Sequence, residues 1–354
     1  MKEIACFVSP HGFGHATRTI AVVEALQRSH SDIHAHFFTT IPEFLFEQTL
    51  TNFSYHPVLV DVGLVQRTAL DSDIPATIKQ LDRLLPFSTS FIEKLALVCS
   101  KCSLIVCDIA PVGIAVGQYT GIPSILVENF TWDWIYQPYL EKYPKLTPHF
   151  LFLKKLFARA DYRIQTEPLC FPTLRDLHCG PIFRRMKEHP TSLRKQLKCG
   201  DKKLVIVTMG GVFQQPPCYS RMEEVDDILF LFSGQEETTR VGKNIILLGR
   251  NNGLYHPDLL NAADLVVCKA GYSTVAECFQ AGTRVISVGR DDFPESAILQ
   301  SYLEEKLGAV SITPKMYQNG SWISIACDLL AKPSPTPVSK NGADQVASFL
   351  NKLM

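Results

Sequence analysis

The sequence predicts an α/β protein with two doubly wound, Rossmann-like domains that face a cleft. Short β-branched runs alternate with helical segments along almost the whole chain, which is the pattern of parallel sheets covered by crossover helices. The 354 residues exceed one average core and suit two domains of about 100 to 200 residues each. A stretch rich in Pro, Lys and Arg at 178–203, expected to be a linker with a short surface helix, separates the halves. We therefore expect an amino-terminal domain at 1–179 and a carboxyl-terminal domain at 180–342, with a final helix at 343–354 that could join the first domain.

Each half is predicted to contain about six strands, enough for one doubly wound sheet. The strands expected in the first half lie at 4–8, 33–38, 55–60, 104–107, 124–127 and 162–165. The strands expected in the second half lie at 204–207, 228–232, 244–248, 265–268, 284–288 and 309–312.

Composition excludes several classes of protein. No window approaches the roughly 18 uninterrupted apolar residues of a membrane span, and the first apolar run, 4–8, is too short for a secretory signal. The eleven cysteines include one Cys-x-x-Cys, at Cys99 and Cys102, without a second Cys pair or a nearby His pair, so we interpret them as buried free thiols of a cytoplasmic protein. The 35 basic and 35 acidic residues balance, which disfavours nucleic acid as a partner. No cofactor is expected.

A Gly-rich turn follows the first strand and precedes a helix at 16–27. Such a turn leaves the first backbone N–H groups of the helix unpaired, and the helix dipole favours negative charge there, so phosphate is the natural ligand. The turn lacks the third Gly of a dinucleotide fingerprint and the Gly-Lys-Ser/Thr of a P-loop. His15 is either a residue that caps the helix start or, with His11 beside the other Gly, a group that moves protons near neutral pH.

The turn sequence HGFGHATR resembles the His-Gly-x-Gly-His turn of the amino-terminal, non-kinase half of L-arabinokinases. The likeness continues through 61–66, 107–112 and 128–136 and covers most of both halves. The second Gly and His are also similar to the Gly-Gly-His turn of the peptidoglycan GlcNAc-transferase and related nucleotide-sugar enzymes, which implies the glycosyltransferase-B (GT-B) architecture. No Gly/Ser-rich kinase phosphate loop is present, so sugar-kinase activity is not expected.

A second strand, small-residue turn and helix lie at 267–277. Ser273 or Thr274 with Glu277 fits an ordinary capping box, which needs no ligand. The segment also resembles the Ser-Gly-x-x-Thr-x-x-Glu turn of the peptidoglycan GlcNAc-transferase type at Gly271, Thr274 and Glu277, with Ala270 in place of the Ser. That resemblance implies a backbone that meets the donor diphosphate, with Tyr272 and Ser273 in the turn, and a Glu277 that holds the ribose hydroxyls.

Three further segments are similar to donor-binding parts of these enzymes. Asp292 and Glu295 lie in a loop like the one that touches the donor sugar hydroxyls, although Pro294 and Glu295 replace the amides common in that family. Gly210 and Gly211 resemble the phosphate-side turn. Arg184 either neutralises the diphosphate or is an exposed linker arginine.

The resemblance implies metal-independent, inverting transfer of a sugar from a nucleoside-diphosphate sugar, usually linked to uridine, to a hydroxyl of a sugar or a lipid-linked sugar. His15 would be the base. Asp108 ends a buried apolar run, so it is either held by a cation such as Arg18 or orients His15. The sequence Asp71-Ser72-Asp73 mimics a metal-binding Asp-x-Asp, but we interpret it as a solvated turn. The residues expected to bind donor or acceptor are His11, Gly12, Gly14, Asn129, Arg184, Gly210, Gly211, Gly271, Tyr272, Ser273, Thr274, Glu277, Asp292 and Glu295.

Two alternatives and two weaker features remain. A nucleotide-sugar hydrolase of the same fold and a non-catalytic nucleotide-sugar-binding module share these motifs. The aromatic stretch 130–143 could stack on an acceptor or belong to the core. The helical segment 149–159 carries basic residues beside an apolar face, which indicates either weak membrane-surface contact or an ordinary core helix.

Overall fold

The structure, a computed structural model, describes residues 2–68, 71–210, 217–249, 252–290 and 292–354. It confirms the predicted α/β class and divides the chain into two compact units. The first unit contains Met1–Arg67, Ser72–Phe183 and Lys340–Met354, and the second contains Thr68–Asp71 and Arg184–Ser339. The first unit is therefore assembled from segments that lie on both sides of the second in the sequence.

The first unit contains a seven-stranded parallel sheet. Its region of the chain has the strands β1 (Lys2–Val8), β2 (Ile33–Thr39), β3 (Phe53–Pro57), β4 (Gln66–Thr68), β5 (Asp71–Ser72), β6 (Cys102–Asp108), β7 (Ser124–Glu128), β8 (Tyr162–Thr166) and β9 (Leu177–Cys179). The sheet order is β3-β2-β1-β6-β7-β8-β9, and β4 and β5 form a separate pair. The chain runs outward from β1 to β2 on one side and returns to β6 on the other. The order of strands consequently reverses between β1 and β6.

Helices cover this sheet. They are α1 (Gly14–Ser29), α2 (Phe44–Glu47), α3 (Ile74–Leu84), α4 (Thr89–Val98), α5 (Pro111–Thr120), α6 (Trp132–Tyr136) and α7 (Thr147–Phe157). The expectation of a solvated turn at 71–73 was wrong. Asp71 and Ser72 form strand β5, and the Asp73 carboxylate caps α3 by accepting a 2.9 Å hydrogen bond from Ala76 N. A carboxylate so placed satisfies one of the unpaired N–H groups at the helix start.

The second unit contains its own seven-stranded sheet. Its strands are β10 (Lys203–Thr208), β11 (Ile228–Gln235), β12 (Thr239–Val241), β13 (Ile245–Gly249), β14 (Leu265–Lys269), β15 (Arg284–Val288) and β16 (Val310–Ile312). The order is β12-β13-β11-β10-β14-β15-β16, and every neighbouring pair is parallel except β12 with β13. Its helices are α8 (Pro190–Gln196), α9 (Tyr219–Glu223), α10 (His256–Ala262), α11 (Tyr272–Ala281), α12 (Pro294–Leu307), α13 (Pro314–Gln318) and α14 (Trp322–Leu330).

Alternating residues of β10 show that this second sheet is buried on both faces. Leu204 and Ile206 belong to one apolar cluster, whereas Val205 and Val207 belong to another. Burial on both faces is the reason that strands of parallel sheets have continuous apolar sequences, and it explains why these strands were predictable.

The last helix, α15 (Gly342–Leu353), belongs to the first unit and contacts α1. Asn341 caps it, since its Oδ1 accepts from Ala343 N at 2.9 Å while its Nδ2 donates to Phe183 O at 2.7 Å. Gly342 N donates to Pro181 O at 2.9 Å, and a side chain at Gly342 would collide with the carbonyl of Gly180. The Pro-rich crossing thus ends in a specific docking of the helix on the first unit.

Two further observations concern the described helices and the cysteines. Of the helices in the described residues, none combines the length and the apolar character that a membrane crossing demands. All eleven cysteines are free thiols, and most are buried.

Candidate functional site

The first polar cluster lies where the strand order of the first sheet reverses. Asp108 is the last residue of β6, and His15 lies in the first turn of the helix that follows β1. In open parallel sheets, ligands collect outside the carboxyl ends of the strands at such a reversal. Topology therefore brings together two residues that are 93 positions apart in sequence.

His15 is oriented by Asp108. His15 Nδ1 lies 2.8 Å from Asp108 Oδ1. Because an ionised carboxylate only accepts hydrogen bonds, Nδ1 carries the proton and Nε2 keeps the lone pair. Both residues are buried, and the His15 ring also contacts the rings of Phe130 and Trp132, with centroids 5.9 and 6.3 Å away. The arrangement fixes both the tautomer and the orientation of the imidazole, as general-base catalysis requires.

Arg18 holds the carboxylate from the other side. Its Nε donates to Asp108 Oδ2 at 2.8 Å and its Nη2 donates to Asp108 Oδ1 at 2.5 Å, which is the two-pronged geometry of a strong charge-assisted pair. Its Nη1 donates to Asn129 Oδ1 at 2.8 Å, and Thr19 Oγ1 donates to Asp108 Oδ2 at 3.1 Å. The two interpretations of Asp108 are therefore not exclusive, since it contacts both Arg18 and His15.

The electrostatics favour a neutral histidine and an ionised carboxylate. Burial lowers the pKa of His15, although the hydrogen bond and charge of Asp108 oppose that shift. Burial by itself would raise the pKa of Asp108, but the charge and hydrogen bonds of Arg18, together with His15, bring it below its usual value. Near neutral pH the imidazole is consequently an unprotonated base beside a fixed negative charge.

The residue after Asp108 has a strained backbone. Ile109 has φ of 44°, a left-handed conformation that β-branched side chains rarely adopt. It is fully buried, and Ser9 N donates to Asp108 O at 3.2 Å beside it. Strain of this kind concentrates at functional sites, so Ile109 is a structural signal that the sequence alone did not provide.

The neighbouring loop carries a second buried carboxylate, Asp61. Ser9 Oγ donates to its Oδ1 at 3.0 Å and Trp132 Nε1 donates to its Oδ2 at 3.1 Å. Burial raises the pKa of Asp61 to about 7, against the effect of those two hydrogen bonds. Trp132 and Tyr136 are buried, and Tyr136 Oη donates to Gly63 O at 2.6 Å. These two aromatic side chains belong to the core of the first unit.

The remaining residues expected in this turn are close to His15 in sequence or in space. The edge of the His11 ring meets Trp132 at a centroid distance of 5.0 Å. Gly12 is exposed with φ of 76°, which only glycine adopts without strain. Helix α1 begins at Gly14 without a side-chain cap. The first turn of α1 thus retains backbone donors of the type that bind anions.

The second cluster lies at the corresponding reversal of the second sheet, between β10 and β14. Gly210 follows β10 with φ of 73°, and Gly271 follows β14. Gly211 lies outside the described residues. The side chain of Lys269, the last residue of β14, approaches Gly210 so closely that an added methyl group would lie 3.2 Å from Lys269 Nζ. A cation and two glycines therefore occupy the strand ends where a ligand is expected.

Glu277 is buried between two basic side chains. Arg184 Nε donates to Glu277 Oε1 at 3.0 Å, and His256 Nδ1 lies 2.8 Å from Glu277 Oε2. Burial would raise the pKa of Glu277, but the charge of Arg184 and the contacts of His256 lower it below its usual value. The alternative of an exposed linker arginine was wrong, because Arg184 is 2% exposed. Its Nη1 is buried and has no hydrogen-bond partner among the described residues.

Helix α11 starts two residues earlier than a capping box with Ser273 as N-cap requires, and three residues earlier than one with Thr274. Gly271 is its N-cap, without a side-chain hydrogen bond, and Tyr272 is its first residue. The capping-box interpretation of Ser273, Thr274 and Glu277 was therefore wrong, since Ser273 and Thr274 lie inside the first turn. A side chain added at Gly271 would meet only Lys269 O, at 4.0 Å, so the fold itself leaves room beside this backbone.

Charged residues surround Lys269. Burial, followed by the charge of Arg290, lowers the pKa of Lys269 to about 8, while Glu295 and Asp292 oppose the shift. Arg290 Nε lies 3.5 Å from Asp292 Oδ1. Glu295 is buried in the first turn of α12. Asp292 and Glu295, expected from the sequence, thus share their surroundings with Lys269 and Arg290, which were not.

Comparison with known proteins identifies the architecture. No known protein-family profile matches the chain. L-arabinokinase from Arabidopsis thaliana is 29% identical over 329 residues, which is 90% of this chain and 31% of that protein, so the chain spans about a third of the relative's length. A UDP-glucosyltransferase from Polygonum tinctorium superposes with a TM-score of 0.63 at 13% identity, over 99% of this chain and 98% of that one. MurG from Acinetobacter baumannii gives 0.54 at 14% identity, over 99% and 100%.

The fold is that of GT-B glycosyltransferases. This confirms the resemblances to such enzymes and to L-arabinokinase that the turn motifs indicated. The solved structures share too little sequence with this chain to identify a donor or an acceptor.

Helix α7 covers most of segment 149–159, for which the sequence indicated either membrane-surface contact or packing in the core. Its Leu153 and Phe157 side chains are buried in the first unit, whereas Leu151 is exposed. The helix thus directs most of its apolar face into the protein, in agreement with the core alternative.

Proposed function

We propose that this chain is a glycosyltransferase of the hexosyltransferase type, which moves a sugar from a nucleoside-diphosphate sugar to an acceptor hydroxyl with inversion at the anomeric carbon. The observation that carries the proposal is the 2.8 Å contact between His15 Nδ1 and Asp108, at the strand ends of a GT-B fold. It leaves His15 Nε2 as a base of fixed orientation.

In the proposed reaction the first unit activates the acceptor. His15 Nε2 takes the proton of the acceptor hydroxyl while that oxygen forms a bond to the anomeric carbon. The bond between this carbon and the diphosphate oxygen breaks on the opposite face, and the nucleoside diphosphate leaves with the electron pair. Asp108 stabilises the imidazolium that forms, and Arg18 keeps Asp108 ionised and in place.

The second unit is proposed to hold the donor. The N-terminus of α11 and the turn at Gly210 offer backbone N–H groups to the diphosphate, and Lys269 adds positive charge there. The buried Nη1 of Arg184, which has no hydrogen-bond partner among the described residues, can donate a further hydrogen bond to the diphosphate. Glu277, fixed by Arg184 and His256, is suited to hold the ribose hydroxyls through the lone pairs that remain on its oxygens. Uridine is the nucleoside that the family resemblance favours.

These groups can neutralise a leaving diphosphate without a metal ion. Preorganised donors of this kind contribute a few kcal/mol each, about 3 to 4 for a well-placed one. In the Asp-x-Asp sequence at 71–73, the Asp73 carboxylate already accepts a hydrogen bond as the N-cap of α3. We therefore propose a metal-independent mechanism.

The test compares wild type with His15→Ala in an assay of nucleoside diphosphate release, over a panel of nucleotide-sugars with sugar and lipid-linked acceptors. We expect kcat to fall by a factor of about 10² to 10⁴ because the base is lost, while calorimetry shows unchanged donor affinity. His30→Ala, at the other end of α1, is the matched control and should retain full activity.

Three results would overturn the proposal. Equal rates for wild type and His15→Ala would remove His15 from the chemistry. Diphosphate release at full rate without any acceptor would identify a hydrolase. Tight donor binding without turnover over the whole panel would identify a binding module.

A further inference from the structure

A second group of reactive side chains lies at the opposite, amino-terminal edge of the first sheet. It consists of Glu3 on β1, His36 on β2 and Cys102 on β6, hereafter the Glu3–His36–Cys102 cluster. These are three adjacent strands of the sheet. The proposed chemistry of His15 and Asp108 uses none of the three residues.

The cluster has the dimensions of a metal site. One ligand atom from each residue, a carboxylate oxygen, an imidazole nitrogen and the sulfur, lies within 4.8 Å of the other two. Glu3 Oε2 and His36 Nε2 are already 3.3 Å apart. Two ligands about 2.0 to 2.2 Å from one tetrahedral Zn²⁺ are separated by roughly 3.4 Å, so the Glu3 and His36 atoms fit without movement. The longer Zn–S bond places the sulfur roughly 3.6 Å from them, so the sulfur must move closer by at most about 1.2 Å.

A β-bulge places Cys102 on the correct face of the sheet. Glu3 pairs with Cys102, but the next residue, Ile4, pairs with Leu104, so Ser103 is an extra residue in β6. Side chains alternate between the faces of a strand. In a regular register Glu3 would pair with Ser103, and Cys102 would point to the opposite face. The bulge therefore brings the thiol to the face of Glu3 and His36, as bulges do when they redirect a side chain.

The histidine is prepared to act as a ligand. His36 Nδ1 lies 3.2 Å from His56 Nε2, which orients the ring and directs Nε2 toward Glu3, in the manner of the outer partners of metal-bound histidines.

We propose that the Glu3–His36–Cys102 cluster binds Zn²⁺ at the amino-terminal edge of the first sheet. A thiolate together with an imidazole selects zinc over the hard cations Mg²⁺ and Ca²⁺, and the carboxylate completes three of the four tetrahedral positions. The thiol of Cys99 lies next to that of Cys102, beside the cluster.

This site would be structural rather than catalytic. Cys102 and Asp108 are the two ends of β6, so about six residues of strand, or roughly 20 Å, separate the cluster from the base. Zinc there would join β1, β2 and β6 at one point, and because it binds the folded form it would raise the apparent stability by mass action.

The test uses the whole protein, treated with chelator, dialysed with a non-thiol reductant and titrated with Co²⁺, which substitutes for zinc and reports a bound thiolate by a charge-transfer band. We expect one equivalent of Co²⁺ to produce that band, Zn²⁺ to displace it, and Zn²⁺ to raise the melting temperature. Cys102→Ser should lose the band, whereas Cys327→Ser, at an exposed cysteine far along the chain, should keep it.

Glu3→Gln is the second variant, because the partly exposed side chain of Glu3 permits an amide without disturbing the core. It should weaken Zn²⁺ binding at least tenfold if Glu3 is a ligand. The proposal is overturned if wild type shows no thiolate band and no bound zinc by elemental analysis, or if Cys102→Ser or Glu3→Gln binds as tightly as wild type. None of these readouts depends on sugar transfer.

Discussion

The two strand-end clusters share one scaffold and differ in the surroundings of their buried carboxylate. In the first unit, Asp108 lies between Arg18 and a histidine whose second nitrogen remains a base. In the second unit, Glu277 lies between Arg184 and His256, and Lys269 adds positive charge at the strand end. We therefore propose that similar backbone geometry supports a proton acceptor in the first unit and an anion receptor in the second.

In each unit the Gly-rich turn sets where the cluster lies, whereas the partners of the buried carboxylate distinguish the two proposed roles. Both turns supply helix N-termini, which favour anions equally. Within the part of the chain that the structure describes, only the first unit has a carboxylate in the sheet that holds a histidine from the helix start. In the second unit the carboxylate is on the helix itself, so the glycine backbone remains accessible at Gly271.

Replacing each carboxylate by its amide gives the largest expected effects. Asp108→Asn and Glu277→Gln each leave a buried arginine without its ion-pair partner, which should lower the free energy of unfolding by about 3 to 5 kcal/mol. Only Asp108→Asn should also reduce kcat, by about 10² to 10⁴-fold, because the imidazole loses its orientation. Glu277→Gln should act on the donor instead, and raise its KM about tenfold, or about 1.4 kcal/mol.

Denaturant unfolding and steady-state kinetics on the same preparations measure these effects. Asp344→Asn, which neutralises the carboxylate of an exposed ion pair with Arg28, is the control for loss of a surface contact and should change neither quantity appreciably. A large fall of kcat in Glu277→Gln with unchanged donor KM would contradict the assignment of separate roles.

The pH dependence distinguishes the two clusters further. Because the pKa of His15 is below its ordinary value of 6.5, the neutral base persists on acidification and the acidic limb of kcat/KM should lie below pH 6.5. The lowered pKa values of Asp108 and Glu277 stabilise the fold above the unfolded carboxylate pKa of about 4, and this stability is lost as pH falls through the folded values.

The titration of Asp61 must be distinguished from that of His15 in this profile, because the pKa of Asp61 is raised to about 7. The profile should therefore be recorded also for Asp61→Asn. A limb at or above pH 6.5 that persists in Asp61→Asn would show that His15 is not the neutral base described here.

Two glycine substitutions should have smaller effects, one mainly on donor affinity and the other mainly on stability. Gly271→Ala places a methyl group in open space at φ of −123°, so folding should lose less than about 1 kcal/mol while donor affinity falls about tenfold, because the phosphate approaches this backbone. Gly12→Ala forces a side chain to φ of 76°, which costs about 1 to 2 kcal/mol of stability without reducing donor affinity.

Thermal unfolding and titration calorimetry give both quantities for each variant. If Gly271→Ala bound every donor as well as wild type, the proposed diphosphate position at the start of α11 would have to be abandoned.

The sequence predicted what depends on local pattern. The twelve expected strands are present because apolar runs of buried parallel strands are continuous. Short edge strands such as β9 and β12 were missed, since three residues with one or no buried position carry no such run. The expected strand at 55–60 proved to lie at Phe53–Pro57.

In the candidate site, too, only the features that depend on local sequence pattern were predictable. Gly spacing located both turns, and Asp108 was noticed because a carboxylate ended a buried run. His256 and Lys269 were missed, because their roles arise from contacts with Glu277 and Gly210 that only the packing of helices and strands creates. The sequence likewise did not indicate that Glu3 and His36 lie near Cys102, because a β-bulge brings the Cys102 side chain to their face of the sheet.

The return of α15 to the first unit has a consequence for biosynthesis. Almost the whole second unit, residues 184–339, is one uninterrupted stretch, whereas the first unit needs residues 340–354 against α1. A ribosome therefore delivers the complete second unit while the earlier-made first unit still lacks its final helix. During translation the later-synthesised unit can finish folding first, and α1 keeps an uncovered apolar surface until the Pro-rich crossing has emerged.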